Sequence, residues 1–520
     1  MNTSSLPSWP SCASGADPAT DPVGCRGIHV PGHTACLAHL ADADRNAYLA
    51  GLAAGDSIDH RGTTFTESLL TALLQSLQDP TTGSPAIGSA RFESATFQGS
   101  ARFKSTTFQG DARFELATFE DLTWFESATF ERSARFESAT FQGDAWFGSA
   151  TFVEAGRVGP LVCAGRVVLS GAKFGGPVTL SFAARRLECR RTRWSSTAEI
   201  RLRYATLDFA HAVFEYPLTL AAEPDPFMLT DGRQLAEDAF TSAPDPGVRV
   251  ASLRGVDAAH LVLADLDLTG CLFTGTVHLD QLRLEGACTF DTTPSSAGLL
   301  HRPFLRFTKR RVLAEEHHWR AGRPGAMRGW NVAVLGAGQA GPLHLAPVYR
   351  ALRKAFEDGK HEPGAADFYY GEMEMRRHAD DIPGSERGLL TAYWALSGYG
   401  LRASRALAWL GAALVLTVVL LMAFGIAQDT PKQTATGTVP ADGGKVTFKI
   451  DKDDPQNPTG NRFTSERFEK ALNVTLNSVV FRSSGQDLTT VGTYIEMTSR
   501  FTEPVLLGLA VLAIRNRVKR

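Results

Sequence analysis

The sequence predicts a mainly β chain: a β-solenoid, then an α-helical linker and two transmembrane helices. Three observations carry that expectation. Phenylalanines recur at intervals of five and six over residues 90–155, a 22-residue run without a charge occupies 406–427, and a second apolar stretch lies at 493–514. At 520 residues the chain exceeds what one compact core organises, so several units are expected. The 43% hydrophobic content excludes general disorder. With 53 basic and 55 acidic residues, bulk charge gives no argument for a nucleic-acid partner. Seven cysteines make no disulfide framework, and the odd count fits a reducing compartment.

Residues 90–155 divide into six blocks of eleven, from ARFESATFQGS through ARFKSTTFQGD to AWFGSATFVEA. The phenylalanines are Phe92, Phe97, Phe103, Phe108, Phe114, Phe119, Phe125, Phe130, Phe136, Phe141, Phe147 and Phe152, and Ala or Thr stands two positions before each. On an α-helix, steps of five and six rotate the ring by about 140° and 240°, off any single face. A continuous strand fails as well, because an odd step reverses the face that an even step keeps. A short straight piece followed by a corner, repeated, puts every ring on one axis, which is a solenoid. The residue two before Phe then points inward near the corner, where only a small side chain fits.

This alternation resembles the pentapeptide-repeat family, in its Phe-centred variant with an extra residue in every second unit. The resemblance implies a right-handed, four-sided β-helix of about 22 residues per coil. Val158, Cys163, Leu169, Phe174 and Leu180 continue the rhythm, and Leu263, Leu268, Phe273, Leu279, Leu284 and Phe290 resume it. The register blurs between these blocks, and 221–250 reads as an inserted loop. The solenoid is therefore expected over 90–290, with roughly eight coils and a length near 40 Å at about 4.8 Å per coil. Some members of this family mimic DNA and bind gyrase, which needs an acidic rod. Here residues 90–155 hold ten acidic and six basic residues, whereas 156–220 hold four acidic and ten basic, so no DNA mimic is expected. The basic stretch, with Arg185, Arg186, Arg190 and Arg191, suits anionic lipid headgroups.

Ahead of the rod, residues 1–64 form a Cys/His-containing region. Cys12, Cys25, Cys36 and His39 are candidate metal ligands, with His29 and His33 nearby. No CxxC knuckle supports them, and reduced thiols beside surface histidines are the competing reading. Within 65–89, Leu69, Leu70, Leu73, Leu74 and Leu77 make one apolar helical stripe, the expected cap on the first coil.

Residues 291–384 read as a helical linker. Its segment 346–378 looks like one tetratricopeptide unit, two helices that cannot bury their own faces and so dock on the last coil or on a neighbouring chain. Gly336, Gly338 and Gly341 match GxGxxG, and Glu357 lies at the distance of a ribose-binding acid. Pro342 and Pro347 stand where the following helix should run, and no further βαβ unit is visible, so a Gly-rich loop is expected. Glu315, Glu316, His317 and His318 contain one E-x-x-H spacing, and a dimetal site needs a second copy. A charged helix start is the expectation there. No catalytic residues and no cofactor are assigned.

The membrane module covers 385–520. Residues 406–427 span about 33 Å as a helix, enough to cross a bilayer. The second span, 493–514, carries Glu496, Arg500 and Glu503 on one helical stripe, expected to face protein or water. Arg387, Arg402 and Arg405 precede the first span and Arg515, Arg517, Lys519 and Arg520 follow the second, which places both termini in the cytoplasm and 428–492 outside. Trp394, Tyr399 and Trp409 sit where interfacial aromatics belong. The start MNTSSLPSWP has neither a basic stretch nor an apolar one, so no signal peptide is expected there. The loop's first half reads as irregular, with a short helix at 467–481. The module resembles the two-helix pore region of potassium channels: Thr489-Thr490-Val491-Gly492 is similar to the start of the filter, and Thr493 and Tyr494 depart from it.

A non-enzymatic, membrane-anchored scaffold is the function this sequence suggests, with a cytoplasmic rod presented to a protein partner, a membrane surface or a second copy of the chain. The alternative is an oligomeric pore or sensor derived from an ion-channel module.

Overall fold

A computed structural model describes residues 7–17, 21–154, 156–243, 245–294, 309–326, 328–330, 336–427, 433–438, 441, 443–452, 461–480 and 488–518. The chain divides into two compact units, 1–375 and 376–520. The first is a β-solenoid of about nine turns, one more than the rhythm alone predicted.

Four parallel ladders run along the rod, and each connects residues one coil apart. Ala90 pairs with Ala112 and Ala112 with Ala134. Phe97 pairs with Phe119 and Phe119 with Phe141. Thr123 lies between Ala101 and Ala145, and Phe130 between Phe108 and Phe152. The strands are mostly two residues long, the straight pieces between corners that the five/six spacing demands. At alternate corners Ser94, Ser105, Leu116, Ser127, Ser138 and Ser149 take φ between 55° and 59°. A Cβ is strained in this left-handed region, so small polar residues suit the corner better than leucine.

The rings lie inside. Phe119 stacks on Phe97 at 4.7 Å and on Phe141 at 4.5 Å between centroids, within 5° of parallel. Within a coil, neighbouring rings meet edge to face, as Phe103 and Phe114 do at 5.6 Å and 78°. Both arrangements suit the aromatic quadrupole, and the stacked spacing equals the separation of hydrogen-bonded strands, so side chain and backbone share one repeat.

The blurred register has a physical cause. Phe152 pairs with Phe174 at a spacing of 22, but Phe174 with Trp194 and Trp194 with Phe214 at 20. Two register shifts, after Val158/Leu180 and after Cys163/Ala184, remove the extra residues. The inserted segment lies between strands Leu218–Ala222 and Arg249–Ser252. It packs on the rod, with Phe227, Leu235 and Phe240 buried against Val162 and Ala183.

Both ends of the rod differ from its middle. Pairing starts ahead of the repeat, with Ile58 on Ala90 and Phe65 on Phe97. Helix α1 (Asp42–Ala50) precedes this first coil. Helix α2 (Glu67–Ser76) follows Phe65, N-capped by Thr66, and buries Leu70, Leu73 and Leu74. It replaces one side of the first coil. At the far end come α3 (Ala314–Ala321), α4 (Pro342–Asp358) and α5 (Glu362–His378). The pair α4/α5 covers the last coil: Phe290 meets Phe368 at 5.1 Å and Phe356 at 5.8 Å.

The second unit contains α6 (Gly384–Ser397), α7 (Ala403–Leu420), α8 (Ser465–Val479) and α9 (Thr490–Val518). A π-helical turn, Leu421–Gly425, extends α7. Two helical stretches, Ala403–Gly425 and Thr490–Arg515, are long and apolar enough to cross a membrane. The loop between them is not irregular throughout: Gln433–Thr438 and Thr447–Lys452 form an antiparallel hairpin. Threonines at alternate positions, Thr434, Thr436 and Thr438, favour the first of these strands. Tyr399 is buried, edge-on to Tyr393 at 5.9 Å.

Candidate functional site

The four metal-ligand candidates converge. The ligand atoms of Cys12, Cys25, Cys36 and His39 all lie within 4.8 Å of one another. A short antiparallel pairing supplies two of them: Cys12 N–H donates to the Gly27 carbonyl at 2.8 Å and Ala13 N–H to that of Cys25 at 2.9 Å. A turn supplies the others, with His39 N–H bonded to the Cys36 carbonyl at 2.9 Å. Gly27 allows the two pieces to meet, since a Cβ there would stand 2.7 Å from Cys36 Cβ. Gly27 N–H donates to Cys25 Sγ at 3.4 Å, and the two thiols of Cys25 and Cys36 are 3.7 Å apart. The hydrogen bond from Cys36 lowers the Cys25 pKa and raises that of Cys36, where burial adds to the rise. Cys36 is buried and His39 is exposed, so the cluster opens to solvent on one side. The other nearby histidines stand apart from it. His29 Nε2 bonds the Ser11 carbonyl at 2.9 Å, and His33 lies 4.0 Å from Asp44. The cluster is tied to the rod through Ile28 N–H, which donates to the Arg61 carbonyl of the first coil at 2.8 Å.

The Glu-Glu-His-His segment is a charged helix start, the first turn of α3, but not a solvent-facing one. Both glutamates are buried, for different purposes. Glu315 Oε1 accepts from Phe273 N–H at 2.6 Å and Thr274 N–H at 2.9 Å, closing a corner of the rod; burial raises its pKa. Glu316 accepts from Arg310 and Arg320, each at 2.6 Å, and from the Tyr349 hydroxyl. Burial works to raise the Glu316 pKa, but Arg310 and Arg320 bring it down to about 2. Arg320 also reaches Glu374 at 3.0 Å. This network joins α3 to α4 and α5, and sequence spacing could not have revealed it because its members are up to 64 residues apart.

The prolines did not break the helix after the glycines. Pro342 occupies the first position of α4, where its missing N–H costs nothing, and Pro347 lies inside α4. Gly336 and Gly338 form turns with φ of 81° and 65°, and the Gly336 carbonyl accepts from Arg254. The apolar run 331–335 before them lies outside the described residues. Of the four arginines named in the basic stretch, two pair with carboxylates and a third bonds a backbone carbonyl. Arg190 bonds Asp208 at 2.6 Å, Arg186 bonds Glu188 at 2.8 Å, and Arg185 donates to the Ala164 carbonyl at 2.7 Å.

In the second unit, α7 and α9 meet at two glycines: a Cβ at Gly492 would run into the Gly425 carbonyl oxygen. Thr490, Val491 and Gly492 are therefore the helical start of α9 and not an extended filter. Arg500 pairs with Glu496 at 2.8 Å. Glu503 is buried and accepts from Thr417 of α7 at 2.9 Å, while its other oxygen has no partner. Arg467 of α8 donates to the Met422 and Ile426 carbonyls at 3.0 Å, where α7 ends. A cation belongs at that end of a helix, beside unsatisfied carbonyls.

A family model described as Pentapeptide repeats (9 copies) matches residues 87–128, within the ring-stacked part of the rod. Repeat and fold agree on a pentapeptide-repeat β-solenoid, which carries two helices of membrane-crossing length. No curated protein and no solved structure matches the chain.

Proposed function

We propose that this protein is a non-enzymatic scaffold, held to a membrane by α7 and α9, that presents its solenoid in the cytoplasm to a protein partner. Pentapeptide-repeat solenoids are in general structural folds without catalysis. The supporting observation is a contrast in exposure. The rod buries its ring stacks and exposes only scattered apolar side chains such as Leu116 and Val213, whereas α7 and α9 leave Leu407, Val415, Leu416, Val419, Phe501, Val505, Val511 and Leu512 exposed. An apolar surface of that extent in water marks a contact with lipid or protein, and its length suits lipid. The buried Glu503 favours a second reading, a pore or sensor, because an ionisable group inside a spanning helix commonly marks function.

Membrane fractionation tests the anchor. The chain is expected to resist carbonate extraction, and recovery in the soluble fraction would end the proposal. In planar bilayers the scaffold predicts silence, and ion currents abolished by Arg500→Glu would replace it with the pore. Protease added to sealed, right-side-out vesicles should spare the solenoid.

A further inference from the structure

We propose that Cys12, Cys25, Cys36 and His39 bind one structural Zn²⁺ that staples the N-terminal region to the first coil of the solenoid. Four protein ligands, three sulfurs and a nitrogen, close a tetrahedral site and leave no position for a substrate. With Zn–S near 2.3 Å and Zn–N near 2.05 Å, a tetrahedron has edges of about 3.8 Å between sulfurs and about 3.6 Å from sulfur to nitrogen. Cys25 and Cys36 are 3.7 Å apart, Cys12 and His39 3.6 Å, and Cys36 and His39 3.3 Å. The remaining separations stay within 4.8 Å, room for one ion and too little for several metals bridged by sulfide. The backbone contributes as zinc sites require: Gly27 N–H points at Cys25 Sγ, the outer contact that supports a coordinated thiolate.

The setting gives the metal a purpose. Among the described residues ahead of Ile58, one helix, α1, is the only regular element longer than a bridge. The apolar residues Val30, Leu37 and Leu40 join the rod's core, but the segment that holds Cys12 and Cys25 contributes few others. A region this small, with so little of its own core, is the kind that metals hold in place. Through Ile28 and Arg61 the staple reaches the first coil of the rod.

Metal analysis of the full-length protein, purified in detergent without added chelator, is the test. About one zinc per chain is expected, retained in His29→Ala and lost in Cys25→Ser. If Cys25→Ser does not fold, the wild type suffices. Replacing zinc with Co²⁺ should give the intense visible bands of a tetrahedral ion with thiolate charge transfer, and a chelator should make Cys12 and Cys25 react with a thiol reagent at least tenfold faster. Metal-free protein with freely reactive thiols, a Cys25–Cys36 disulfide in the native protein, an iron chromophore, or loss of zinc in His29→Ala would each overturn the assignment.

Discussion

Thr106→Val asks whether one buried hydroxyl in the rod is a liability. Thr106 shares an inward column with Ala128, Ala150, Ala172, Thr192 and Ala212, all fully or almost fully buried. Its Oγ1 has no hydrogen-bond partner. Thr192, at the same position in a later coil, is satisfied twice: it donates to the Cys189 carbonyl at 2.9 Å and accepts from Trp194 Nε1 at 2.9 Å. Valine keeps the shape of threonine and deletes the hydroxyl. At Thr106 this removes a desolvation penalty of about 1–3 kcal/mol. At Thr192 it breaks two hydrogen bonds and strands a buried indole N–H, a loss of about 2–3 kcal/mol. One chemical change should therefore have opposite signs at two levels of one column. Native-state hydrogen exchange reads each level by itself, because Thr129 N–H donates to the Thr106 carbonyl and Val213 N–H to that of Thr192, both at 2.9 Å. Thr106→Val should slow exchange at Thr129 by about 5- to 30-fold, the effect of one or two kcal/mol. Thr192→Val should speed it at Val213 by at least that much. Faster exchange at Thr129 would show that the Thr106 hydroxyl is paired after all, and the reasoning would fail.

Four further outcomes follow from the same geometry. His60 is fully buried, and burial pushes its pKa down to about 4 against a slight opposing pull from Asp59. Because the unfolded chain takes up the proton first, stability should fall as pH drops from about 6.5 to about 4, by about 3 kcal/mol, and His60→Gln should flatten that part of a pH-dependent denaturation curve. Glu316→Gln leaves Arg310 and Arg320 buried beside a neutral amide and should cost about 3–5 kcal/mol in urea unfolding of the solenoid unit. Leu116, half exposed with φ of 59°, occupies a corner that serine fills elsewhere; Leu116→Asn should gain about 0.5–1 kcal/mol by the same measurement. Gly492→Leu should part α7 from α9 and abolish disulfide crosslinking between Thr417→Cys and Glu503→Cys.

The rings declared themselves in the sequence because the rod repeats one local geometry: a five/six spacing has a single way to keep every Phe inside. The leucine stripe of α2 and the hairpin of α4 and α5 were legible for a similar reason, each having a face with nothing of its own to cover it. What stayed hidden depended on contacts without a period. The shortening from 22 to 20 residues per coil needs the pairing of Cys163 with Ala184 to be seen. Glu316 read as a charge at a helix start, and its burial stayed hidden because Arg310 and Tyr349 come to it from separate elements. The proline objection to α4 failed on a local rule, since a helix accepts proline at its first position. The metal candidates were named from residue type alone; their convergence depends on a backbone pairing between residues near 12 and near 27 that no motif announces.

A solenoid with a uniform interior has no internal reason to stop. Every coil offers the next one the same ladder of open backbone groups and the same ring faces, so identity and length must be set at the ends. Here the ends are built from different chemistry. At the start, α2 takes the place of one side of the first coil, while His60 meets Tyr48 and Phe65 edge to face at 5.9 Å and 5.8 Å. At the finish, rings give way to α4 and α5 and to a buried set of two arginines and two glutamates, with Arg310, Glu316, Arg320 and Glu374 all almost inaccessible to water. Such a network contributes little net stability compared with an apolar core, but it tolerates no substitute partner. A further coil added at this end would have to displace Phe356 and Phe368 from Phe290 and pull apart helices that the Arg–Glu network ties together. That coupling, more than any strength of binding, accounts for a rod that ends at the coil of Phe290.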